Sequence, residues 1–175
     1  GPRGRVGVTR SGYRVDAPSG RLAPGLRLRT ARPALPPAYV HRHRIDQTLS
    51  ACGPGDIAVV EAGAGYGKSL AVASWLQHRV ADGPVAWLAV GEPHGMRALW
   101  SDILGSLTAG GASTGSGALL DIAPGPAFAE PEVDMIVDGL ASSPTPVTLV
   151  LDDVHRIDAP DVMDSIRHLV ARQPE

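Results

Sequence analysis

One lysine and a pair of aspartates carry most of the chemistry this sequence can offer. Lys68 is the only lysine in the chain, against fifteen arginines. It stands in Ala62-Gly63-Ala64-Gly65-Tyr66-Gly67-Lys68-Ser69, a glycine-rich turn expected to join a strand to a helix. Glycines let the backbone bend around an anion with its amides turned inward, and the helix that follows aims the positive end of its dipole at the same point. Phosphate is the natural guest. The compact Lys68 ammonium would reach the β- and γ-phosphates, where the broad fork of an arginine would not fit. The Ser69 hydroxyl would supply one ligand to a Mg²⁺ that keeps several waters. The segment therefore reads as a P-loop, with Ala62 where the spacing G-x-x-x-x-G-K-[ST] has its first glycine. Tyr66, inside the loop, must turn its side chain away from the phosphates.

Further along, the apolar run at residues 147–151 (VTLVL) ends in Asp152-Asp153. Carboxylates at the end of a buried strand are what the second half of a nucleotide-hydrolase site requires. Asp152 is expected to hold Mg²⁺ through water, and Asp153 to polarise an attacking water, which makes Asp153 and Lys68 the expected catalytic pair. Taken alone, the two acids could equally close a strand and open a turn; the P-loop upstream favours the site. His155 could orient Asp153, sense the γ-phosphate or fill a turn, and the spacing favours the last. His41, His43 and His155 lack the spacing and the cysteine partners of a metal site and read as solvated histidines.

The elements that must position these residues follow from apolar periodicity. Residues 56–61 (DIAVVE), 85–90 (VAWLAV) and 147–151 are short, continuous apolar runs and predict buried strands. Helical spacing predicts helices over residues 44–51, 68–80, 96–107, 132–141 and 161–172, with a Gly/Ser/Thr loop at 109–117. Trp75, Trp87 and Trp100 fall on apolar faces and read as core. Continuous apolar strands alternating with helices imply a parallel sheet covered on both sides. The fold class is α/β, a three-layer α/β/α arrangement of the P-loop NTPase kind. Doubly wound sheets usually have five or six strands, so three predict an incomplete one. Adjacent parallel strands would bring the P-loop and Asp152 to the same sheet edge. No internal repeat is present.

Composition bounds the rest. The chain has 175 residues, 43% of them hydrophobic, and a formal charge of −2, enough apolar content for one compact domain. No apolar run approaches a membrane span and the N-terminus carries no apolar signal core. One cysteine, Cys52, permits no internal disulfide, and a reduced, cytoplasmic setting is the expectation. The charge is unevenly placed. Residues 1–44 hold ten arginines and one acid, Asp16, for +9, leaving −11 on the remainder. Residues 1–34 are expected to be a disordered Arg/Gly/Pro-rich arm, and 35–175 a partial NTPase domain. Such an arm can attract nucleic acid, but its composition equally describes an unfolded leader.

These motifs together resemble the large ATP-binding regulators of the LuxR type, whose N-terminal module belongs to the STAND class of signal-transduction ATPases and includes the maltose-regulon activators. The resemblance runs over about residues 34–172. That family writes its phosphate loop A-x-A-G-Y-G-K-[ST], which AGAGYGKS matches, Ala62 and Tyr66 included. Residues 35–45 (LPPAYVHRHRI) are similar to its L-P-x-x-x-V-x-R-x-R-L lead-in, with Val40, Arg42 and Arg44 in register. VAWLAV, the tryptophan-bearing helix after it and LVLDDVH resemble its second strand, the next helix and its Walker B motif.

The resemblance implies ATP or ADP with Mg²⁺ bound by Gly63, Ala64, Gly65, Tyr66, Gly67, Lys68, Ser69 and Leu70, with Val40 and Arg42 near the adenine. Ser69 and Asp152 would be the metal ligands. It further implies a nucleotide-dependent switch with slow or absent hydrolysis, and self-association in the ATP-bound state. Family members continue past the Walker B helix into a sensor strand, a winged helix, inducer-binding repeats and a DNA-binding helix-turn-helix. None of these is in this sequence, so the expectation is a module truncated after Walker B, without a DNA-binding domain and without a membrane partner. The alternative function is a small P-loop kinase acting on a metabolite.

Overall fold

The computed structural model describes residues 24–78, 83–91, 95–112 and 130–171. Within them the chain forms α1 (Pro24–Arg29), α2 (His43–Ser50), α3 (Lys68–His78), β1 (Val85–Ala89), α4 (Met96–Ala109), α5 (Glu130–Ala141), β2 (Thr148–Asp152) and α6 (Pro160–Ala171), with a 3-10 turn at Val154–Arg156. The described residues form a mixed α/β fold of six helices and a small parallel two-stranded sheet. Among the described residues no helix is long and apolar enough to cross a membrane.

β1 and β2 run parallel, from Val85 opposite Thr148 to Ala89 opposite Asp152. The ladder extends by one bond at each end, Thr148 N–H donating to Pro84 O and Val90 N–H to Asp152 O, both at 2.9 Å. Alternation of side chains across a strand then serves both faces. Ala86, Leu88 and Val90 point into the main core with Leu99, Trp100, Ile103 and Leu107 of α4, Val133 and Ile136 of α5, and Val162 and Ile166 of α6. Trp87 points the other way, onto Ala73 and Leu76 of α3, with Val85 and Val150 beside it. The sheet is thus covered on both faces. α3, which follows the glycine-rich turn, is held by apolar packing on one of them.

Gly110 shows how closely α4 lies on β1. A Cβ there would stand 2.4 Å from the Val85 carbonyl oxygen, 2.7 Å from its carbon and 2.9 Å from Ala86 N. All three are backbone atoms of the strand, so relief requires moving the helix end. Gly110→Ala is expected to destabilise the protein by about 3 kcal/mol, as overpacking against backbone does. Urea denaturation checks this; an unchanged midpoint would mean that α4 and β1 part at little cost.

Two expectations are corrected. Residues 56–61 form no strand. The run is apolar, but Ile57 and Val59 stand 44% and 77% exposed, and the only described ladder is β1 with β2. Without a neighbour to pair with, an apolar run gains neither ladder bonds nor burial. The described part of the arm, residues 24–34, is not featureless either: α1 forms there. Its Leu26 packs against the main core, and Arg29 Nη1 donates to Asp102 Oδ2 of α4 at 2.7 Å. These long-range contacts order a segment whose composition argues for disorder. Residues 1–23, 79–80 at the end of the second predicted helix, 113–117 of the loop and Arg172 lie outside the described residues.

Candidate functional site

The glycine-rich turn ends at the first residue of α3. Gly67 caps that helix, its carbonyl accepting the Ala71 amide at 2.9 Å. Gly65 and Gly67 both have positive φ, +78° and +72°, a region that side chains other than glycine rarely occupy. Gly63 has another reason to be glycine: a Cβ there would meet the Tyr66 ring at 3.1 Å. Tyr66 lies over Gly63, 67% exposed, and is absent from the residues lining the cavity described below.

Lys68 folds back over its own turn. Its ammonium donates to Ala62 O at 2.8 Å and to Gly63 O at 3.2 Å. An ammonium has three protons, so two pin the side chain across the turn and the third is not taken up by them. The turn is in this way closed into a ring by its own cation.

A cavity of about 2060 Å³ opens beside it. Gly65, Gly67, Lys68 and Ser69 border it, as do Ala64 and Leu70, while β2 from Thr148 to Leu151 and Asp153 border it elsewhere. The strand pairing expected to bring the loop and the acids together is not formed, because residues 56–61 are outside the sheet. A shared cavity joins the loop to Asp153 instead. Asp152, the last residue of β2, accepts the Asp153 amide on Oδ1 at 3.0 Å. It and Val40, which is 78% exposed, are not among the lining residues.

Asp153 sits at φ +58° and caps the 3-10 turn. Aspartate tolerates this left-handed conformation better than most residues. Its carboxylate lies 3.8 Å from Arg156 Nε and 3.9 Å from His155 Nδ1. These are exposed, long contacts of the kind that contribute little stability, and they leave the carboxylate able to turn toward the cavity. Arg156, also on the cavity wall, was not singled out in the sequence. Its spacing of three from Asp153 is the signal that could have found it. Arg42, by contrast, stands directly against the loop: its Nη2 is 3.5 Å from where a Gly67 Cβ would be.

Comparison with protein-family models, curated proteins and solved structures finds no match for this chain. Among the described residues no group of three or more His, Cys, Asp or Glu is arranged to hold a metal ion. A hydroxyl at the start of α3 and a carboxylate at the end of β2 are nonetheless hard oxygen donors. They suit Mg²⁺, which keeps most of its waters and takes other ligands from phosphate.

Proposed function

We propose that the chain binds ATP or ADP with Mg²⁺ at residues 62–69, as the P-loop module of a nucleotide-dependent switch like those of the LuxR-type STAND regulators. The observation that carries this reading is the turn itself. Two left-handed glycines, a helix starting at the next residue and an ammonium strapped to two of the turn's carbonyls leave one N–H, and the amides of the first helical turn, for an anion. Such a cradle favours phosphate over a neutral ligand. Ser69, on the cavity, and Asp152, off its wall and acting through water, would be the chain's contribution to holding Mg²⁺, whose chemistry when bound is to neutralise charge on the phosphates. Asp153 would orient a water at the cavity wall. Hydrolysis is expected to be slow, with occupancy of the site, not turnover, as the signal.

A cytoplasmic setting accompanies this reading, since nucleotide and the free, exposed thiol of Cys52 belong in a reducing compartment. The test is calorimetric titration of the purified chain with Mg-ATP. Saturable one-to-one binding, competed by ADP, is expected; no detectable binding at millimolar nucleotide would remove the proposal. ADP release that begins only when a small-molecule acceptor is added would move the reading to a P-loop kinase.

A further inference from the structure

The resemblance places Arg42 beside the adenine, but the structure puts its guanidinium against Gly67, at the Lys68 end of the glycine-rich turn and just off the cavity that the turn borders. Its Nη2 lies 3.5 Å from where a Cβ on Gly67 would stand, and Gly67 is the cap of α3 and the residue before Lys68. The root of the side chain is fixed. Arg42 O accepts the amides of Ile45 and Asp46 at 2.9 and 3.1 Å, closing the first turn of α2. On one side of it, the His41 ring lies 4.6 Å from that of His43 and 4.7 Å from that of His78, the last residue of α3. α2 is tied to the same helix again by Trp75 Nε1 donating to Ser50 Oγ at 3.0 Å. The segment carrying Arg42 is therefore braced along α3, the helix whose N-terminus forms the cradle.

Among the described residues no carboxylate pairs with Arg42, although His41 beside it contacts Asp46 at 2.9 Å. An exposed guanidinium with no counter-ion among the described residues, held against a glycine-rich turn at a helix start, is suited to take phosphate oxygens in its planar fork. We infer that Arg42 is a second cation of the phosphate site, acting on the diphosphate that ATP and ADP share. The assignment rests on the nucleotide-binding reading above. It goes to the α- and β-phosphates because loop amides cradle those two, whereas Lys68 reaches on to the γ-phosphate. The site then holds both ADP and ATP and rejects monophosphates.

The experiment is equilibrium titration of wild type, Arg42→Ala, Arg42→Lys and Lys68→Ala with ATP, ADP and AMP in the presence of Mg²⁺. Arg42→Ala is expected to weaken ATP and ADP by the same factor, roughly 10- to 100-fold, the worth of hydrogen bonds to a charged group. Arg42→Lys should recover only part of this, because an ammonium lacks the fork. Lys68→Ala should penalise ATP more than ADP. Wild-type affinity for ADP in Arg42→Ala would overturn the assignment while leaving the binding site standing, and a loss confined to ATP would overturn it in favour of a γ-phosphate contact. Absence of ADP and ATP binding in the wild type would instead remove the site altogether. Arg42 is exposed, so circular dichroism should show the variant folded; if it is not, the Arg42→Lys comparison decides.

Discussion

With Lys68 replaced by alanine, Mg-ATP binding should weaken by about a hundredfold while the thermal midpoint moves by only a few degrees. The first part follows from what the ammonium does. It is the single lysine of the chain, and its third proton is the one not spent on Ala62 O and Gly63 O. One charge-assisted hydrogen bond from that proton, with the ammonium's charge beside the phosphates, is worth up to about 3 kcal/mol, about two powers of ten in affinity. The second part follows from where those carbonyls are. Both belong to exposed loop residues, so losing the bonds returns them to water at a cost below about 1 kcal/mol. Lys68→Arg is expected to fail almost as badly as alanine, because the guanidinium cannot enter the ring that the turn makes. Titration and differential scanning calorimetry on the same preparations separate the two effects. A variant that lost binding together with 10 °C or more of stability would make Lys68 a structural residue.

The largest stability effect is expected at Trp100. Its indole is fully buried, at 0% exposure, in the main core where α4 meets α6, and its Nε1 donates to Ser165 Oγ at 2.9 Å. Ser165 passes the interaction on, donating to Val162 O at 2.7 Å. Truncation to alanine removes the ring, opens a cavity and leaves the serine oxygen without its donor. Trp→Ala changes in cores cost about 3–5 kcal/mol, a large share of the 5–15 kcal/mol that roughly holds a domain folded. The melting temperature should fall by roughly 10–15 °C. Trp100→Phe keeps most of the packing and should lose about 1–2 kcal/mol, chiefly the hydrogen bond. Near equality of the two variants would show that the cavity collapses.

What was legible in the sequence is what depends on neighbours a few residues away. α4 repeats its apolar residues at helical spacing, from Leu99 to Leu107, and forms where expected, from Met96. The runs at 85–90 and 147–151 are short and mostly apolar, and they form the two strands, Val85–Ala89 and Thr148–Asp152. Residues 56–61 look the same in sequence and are not a strand, because pairing is decided by a partner elsewhere in the chain, which local composition does not encode. α1 failed for the opposite reason. Its order comes from Arg29 meeting Asp102 across 73 positions, a contact with no local signature. The candidate site divides in the same way. The loop could be read from its own residues, glycine by glycine, whereas the approach of Arg42 to Gly67 depends on how α2 is laid along α3.

The parallel pairing of β1 and β2 has a consequence for how the molecule is made. Parallel neighbours cannot be joined by a hairpin, and residues 90–147 must be traversed before Val85 finds Thr148. The helices can flicker into existence on their own, but the ladder and the core on both its faces wait for that long closure. Assembly should therefore be slow for a chain of this size, governed by a distant encounter more than by local coiling. Until it happens, the apolar faces of α4 and α6 stand open to any other chain emerging beside them.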